Sequence, residues 1–178
     1  MNDVSRVQNT DWDRAGYEAL RTRAEGTNLD PVTLLATDYL NHFNEVIMLI
    51  EMIADMPDMI EDVLAWEPKS YEKHFADSGF KDKDLAIEAY GAAPEDLKAQ
   101  FDALVACLNG NIFKTHQMLK GVDVEAPGPN LAEDVRVAVG KFHRLVEMIS
   151  SVINGGTIKN TPEETEVSSA QAEIDAMF

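Results

Sequence analysis

The sequence predicts an all-α fold: a helical bundle of three long helices with a subdomain of short helices and a tail. Three observations carry this expectation. Apolar residues recur at steps of three and four along three separate stretches, the period that places side chains on one face of a helix. Each stretch opens on residues that start helices: Asp30-Pro31, Pro94-Glu95-Asp96, and Asn130 followed by Glu133. The 178 residues, 45% of them apolar, suffice for one core plus tails.

Residues 1–29 are mostly polar and read as an N-terminal arm. One short helix is expected from Asp11 to about Ala24, capped by Thr10, with Trp12, Tyr17 and Leu20 as a narrow apolar edge. The bundle proper is assigned to residues 30–155. Its organising helix runs from Asp30 to Met56: Asp30 accepts from free N–H groups of the first turn, and Val32, Leu35, Tyr39, Phe43, Val46, Ile50 and Ile53 form the stripe. Pro57 restarts a short helix through about Trp66, and Pro68 ends it. Lys69–Asp77 and Lys83–Tyr90 read as two further short helices divided by Ser78-Gly79. The density of aromatics here (Trp66, Tyr71, Phe75, Phe80, Tyr90) points to a cap packed on the bundle, with a lid over a pocket as the other option.

Pro94 starts the second long helix, with the stripe Leu97, Phe101, Leu104, Leu108 and Ile112. Asn109-Gly110-Asn111 is expected to bend or break it, because Gly is costly in a helix interior. Gly121 is the expected end and 121–129 a loop. Asn130 with Glu133 resembles a capping box for the third long helix, whose stripe is Leu131, Val135, Val139, Phe142, Val146, Ile149 and Val152 or Ile153, closed by Gly155-Gly156. Residues 156–169, with Glu163, Glu164 and Glu166 and no apolar periodicity, read as an acidic flexible linker, and residues 170–178 as a short C-terminal helix.

Composition excludes several function classes. A net charge of −17, from 32 acidic against 15 basic residues, repels nucleic acid and anionic membrane surfaces and favours a basic partner. Val46–Met56, the most hydrophobic stretch, carries Glu51 and Asp55 and is too short to span a bilayer, and the first thirteen residues have no signal-peptide pattern. A cytoplasmic protein is expected. Cys107 is the single cysteine, which fits a reducing compartment and reads as a small buried hydrophobe. No cofactor is expected, and homo-oligomerisation is left open.

Four constellations bear on chemistry. Asp38, His42 and Glu45 fall at steps of four and three, sharing one polar line opposite the hydrophobic face, and are the candidate ligands of a metal- or small-molecule-binding bundle of ferritin-like or hemerythrin-like architecture. His116 and His143, the latter with Glu147 one turn on, do not join them: in an antiparallel pair the two histidines are offset by roughly 13 Å. Asp96 and Gln100 are spaced as an acid and an amide that hold a water on a helix. His116 is followed by Lys120-Gly121, similar to the histidine phosphotransfer motif, but one residue late, which rotates Lys120 by about 100°. No Gly-x-Ser-x-Gly or phosphate-cradling loop occurs.

Ser168 with Gln171 provides a helix start for the C-terminal segment, in which Ile174, Met177 and Phe178 make an apolar edge. So short a helix requires packing support. Gln171-Ala172-Glu173-Ile174-Asp175-Ala176-Met177-Phe178 resembles the CheY-binding peptides of the flagellar switch protein FliM, which run Ser-Gln-x-Glu-Ile-Asp-Ala-Leu-Leu, and more distantly the C-terminal peptide of CheZ. Ala170 stands where the family has Ser, and Met177-Phe178 replace the leucines. The resemblance implies a CheY-like receiver domain as partner, bound through Gln171, Glu173, Ile174, Asp175, Met177 and Phe178, and hence a regulator in bacterial chemotaxis or motility signalling. The Asp-x-x-x-Gln spacing of Asp96 and Gln100 is also that of the phosphatase CheZ, which makes acyl-phosphate hydrolysis the secondary expectation.

Overall fold

The structure, a computed structural model, describes the backbone of residues 5–156 and the side chains from residue 14. Those residues are all-helical: α1 (Ser5–Ala24), α2 (Asn41–Met52), α3 (Ile60–Ala65), α4 (Tyr71–Asp77), α5 (Lys83–Tyr90), α6 (Glu95–Leu119) and α7 (Leu131–Ile153), with 3₁₀ turns at Thr37–Leu40 and Pro57–Met59. α6 and α7 form a hairpin; α2 lies against α7, and α3 bridges α2 to α6.

The organising helix is shorter than its periodicity implies. It begins at Asn41, not Asp30, and Val32, expected on the apolar face, is 49% exposed. Asp30 does accept from the Val32 and Thr33 N–H groups at 2.8 and 2.9 Å. The chain then closes a tight loop: Leu34 N–H donates to Asp30 O, Asp30 N–H donates to Leu35 O, and Leu29 pairs with Ala36 in an isolated bridge. Leu34 sits at φ 60°, a left-handed conformation that costs a side-chain-bearing residue about 1 kcal/mol. Burial explains the preference. Thr33, Leu34, Leu35 and Ala36 are all fully buried, which no single helix face accomplishes for four successive residues. The Thr33 hydroxyl moreover donates to the Ile153 carbonyl at 2.5 Å, serving one of the open acceptors at the end of α7.

α1 starts at Ser5, so Thr10 lies inside it and does not cap it. Its end is docked: Leu20 and Ala24 are buried, the Tyr17 hydroxyl donates to Val32 O, and Arg23 forks both carboxylate oxygens of Glu88 on α5 at 2.8 Å. The short helices fall close to their expected bounds, and Ser70 caps α4 by accepting from Lys73 N–H.

α6 passes through Asn109-Gly110-Asn111 as one helix. Local bonds support it there, since Asn111 Nδ2 donates to Cys107 O and the Thr115 hydroxyl to Asn111 O, while Leu108 and Ile112 on either side are buried. The expected capping box at Asn130 is not formed: Asn130 is the N-cap without a side-chain bond, and Glu133 pairs with Arg136. α7 ends as its glycines indicate. Gly155 adopts φ 73°, Gly156 N–H reaches back to Ser151 O, and Gly155 N–H to Val152 O, the paired bonds of a Schellman motif. No helix among the described residues is long and apolar enough to cross a membrane.

Candidate functional site

Two neighbouring centres gather the chemistry of the described residues, and the Pro68-Lys69-Ser70 connection between α3 and α4 runs between them. The first is built on His42. This residue is only 6% exposed, stacked on Trp66 at 4.6 Å, and its Nε2 accepts from Lys69 N–H at 3.0 Å. That bond fixes Nδ1 as the protonated nitrogen of the neutral ring. Trp66 Nε1 donates in turn to the His42 carbonyl. His74 lies 5.9 Å from His42 and His116 6.3 Å from Trp66, ring to ring, so two helices each bring a histidine to one tryptophan and a third sets His74 beside His42. Burial lowers the affinity of all three for a proton; His42 falls to about 4, helped by the proximity of His74 and Lys69. His116 Nε2 is buried without a hydrogen-bond partner among the described residues.

The polar line expected from Asp38, His42 and Glu45 is therefore corrected. Asp38 lies in the 3₁₀ turn, Glu45 is exposed, and His42 faces inward with its Nε2 lone pair engaged by the backbone. A shallow cleft of about 230 Å³ does bring His42 and Glu45 to one rim with His74 and Asp77. Among the described residues no group of three or more His, Cys, Asp or Glu side chains is arranged to hold a metal ion. His143 pairs with Glu51 of α2 at 2.8 Å, not with Glu147.

The second centre is aromatic. Tyr71 stacks on Tyr90 at 4.6 Å and contacts Tyr39, Phe75 and Phe101, joining the 3₁₀ turn, α4, α5 and α6 in one cluster. The aromatic-rich excursion is thus a cap packed on the long helices. The cluster leaves a cleft of about 280 Å³ along α6, lined there by Val105, Ala106 and Asn109. At one end the Tyr90 hydroxyl donates to Asp102 at 2.5 Å and Lys98 Nζ to the other carboxylate oxygen at 2.7 Å, with the ammonium 4.1 Å from the centre of the Tyr90 ring. Burial raises the Tyr39, Tyr71 and Tyr90 phenols well above their ordinary range, so all three are neutral donors at physiological pH. Asn109 Oδ1 is buried and has no hydrogen-bond partner among the described residues.

The chain matches no family model, no curated protein and no solved structure.

Asp96 and Gln100 share a face of α6 at its N-terminal end, Asp96 exposed and Gln100 half-buried, outside both clefts. Gln171, Glu173, Ile174, Asp175, Met177 and Phe178 lie outside the described residues. Asn109, Asp102 and Tyr39 escaped functional notice in the sequence. Asn109 carried the one available signal, a polar side chain a turn before the apolar Ile112–Phe113 pair.

Proposed function

We propose that this protein is a cytoplasmic adaptor or regulator in chemotaxis or motility signalling, a helical bundle whose C-terminal segment engages a receiver domain of the CheY type. The observation that carries it is the run Gln171–Phe178, in which the acidic and apolar positions of the FliM peptide recur in order. Two features support it. The last described helix is closed by the Schellman turn at Gly155, and the sequence from there to the resembling segment has no apolar periodicity. The charge of −17 suits a basic docking face, which raises the rate of encounter more than the final affinity. Ile174, Met177 and Phe178 are assigned to an apolar groove on the partner, and Glu173 and Asp175 to its basic rim. Hydrolysis of the partner's acyl phosphate through Asp96 and Gln100 is the secondary role, with the amide orienting a water.

The test uses the full chain beside the same chain carrying Ile174→Asp and Phe178→Asp, each titrated against receiver domains with and without a phosphoryl mimic. Loss of two apolar anchors of at least about 1 kcal/mol each predicts binding weaker by roughly 30-fold or more. Equal binding by both chains removes the C-terminal segment from the interface and overturns the proposal.

A further inference from the structure

We propose that the outward face of α2 binds a soft monovalent metal ion, Cu(I), between the thioethers of Met48 and Met52, with Met56 as a third ligand. Four of the eight methionines of the chain fall within one short stretch, at Met48, Met52, Met56 and Met59. Their steps of four, four and three follow the helical period, so neighbouring members lie one turn apart. A methionine stripe of that kind ordinarily fills gaps in a core. This one faces away from it. Phe43, Val46, Ile47 and Ile50 make the buried side of α2, whereas Met48 is 57% and Met56 43% exposed and Met52 is half-buried. Met59 packs against the core and drops out of the set. The backbone keeps its register past the end of α2: Met56 N–H donates to Met52 O at 2.8 Å, which sets Met56 one turn beyond Met52.

A thioether is a soft, uncharged ligand that selects Cu(I) over the hard and borderline divalent ions. Such a site differs in kind from the His, Cys and carboxylate clusters that the described residues lack. Residues spaced as Met48 and Met52 are have Cβ atoms about 5–6 Å apart. Two sulfurs sharing one ion stand roughly 5 Å apart, about twice a metal–sulfur bond, and the three rotatable bonds of each side chain reach that spacing. Once one sulfur holds the ion, its neighbour binds at a raised effective concentration, so the pair outdoes two single thioethers. The surroundings favour a cation. Residues 24–68 carry ten carboxylates and no Lys or Arg. Glu45 stands three before Met48 and Asp55 three after Met52, both exposed and without an ion pair among the described residues. Glu51, on the flank towards α7, is engaged by His143.

The experiment uses Ag(I), a redox-inert stand-in for Cu(I), in chloride-free buffer, with Zn(II) as the borderline control. The full chain is isotopically labelled at its methionine methyl groups and followed by NMR. The Met48 and Met52 signals are expected to shift together and saturably, with a sub-millimolar dissociation constant, while those of Met118 and Met148 stay in place and Zn(II) moves none. Reading each methionine by itself separates this site from silver taken up by the Cys107 thiolate. Met48→Leu and Met52→Leu keep volume and apolarity at little cost in stability, yet each is expected to weaken Ag(I) at least about tenfold at unchanged helicity. Met48 is exposed, so its variant decides alone where Met52→Leu disturbs folding. A response of all methionines alike, an equal response to Zn(II), or an affinity untouched by Met48→Leu overturns the proposal. So do Met48 and Met52 signals that ignore Ag(I), and a shift of those same signals with a basic amphipathic peptide would then mark the stripe as an apolar docking face.

Discussion

Acid should destabilise this protein through His42 before general carboxylate protonation does so. In the folded chain the ring is buried, and its Nε2 must stay deprotonated to accept from Lys69 N–H; a proton there would set two donors against each other. Its pKa accordingly falls from 6.5 to about 4. Between those values the unfolded chain binds the proton and the folded chain does not. Stability is therefore complete above the unfolded value and declines as pH falls from about 6.5 towards 4. Linkage over that shift gives at most about 3 kcal/mol in all, and about 2 kcal/mol between about pH 7.5 and pH 5. His74 and His116 shift in the same direction and add to the loss. Urea denaturation followed by tryptophan fluorescence at the two pH values measures it. The control is His42→Gln, whose amide oxygen accepts from Lys69 without titrating. The variant should lose about 2 kcal/mol less than the parent chain over that interval. Equal losses in the two proteins would refute the assignment of the lone pair to Lys69.

Three further substitutions test the helices and their ends. Gly110→Ala and Gly140→Ala each place a methyl group where nothing lies within 4 Å, inside α6 and α7. Each should raise the unfolding free energy by about 0.5–1 kcal/mol, seen as a higher urea midpoint at constant slope. Thr33→Val removes the buried bond to Ile153 O and the one that Thr33 Oγ1 accepts from Leu35 N–H, and should cost about 1–3 kcal/mol. Hydrogen exchange should then quicken at the C-terminal end of α7 more than at its start.

Where a segment's fate was local, the sequence was legible. Lys83–Tyr90 matches α5 residue for residue, and α6 and α7 follow their stripes to the residues that stop them. The failures have non-local causes. Residues 31–36 have helical periodicity, but Thr33 finds its partner 120 positions away, a contact no local window contains. His42 was assigned to a polar line because of its chemistry, although it stands three after Tyr39 and four before Val46, within the apolar stripe. Asn109-Gly110-Asn111 looked like a weak point because propensity was weighed without the packing of Leu108 and Ile112 beneath it. The aromatic cap was legible as a density of rings; its cleft was not, because Tyr39, Tyr90 and Asn109 meet only once four elements are assembled.

The tie between Thr33 and the end of α7 has a mechanical consequence. A load applied to the chain at Gly156 passes through the closing turn to Ile153, and there it meets the hydroxyl of Thr33, itself fully buried close to the start of the chain. Tugging on the C-terminal side is thereby resisted by the interior instead of fraying a helix turn by turn.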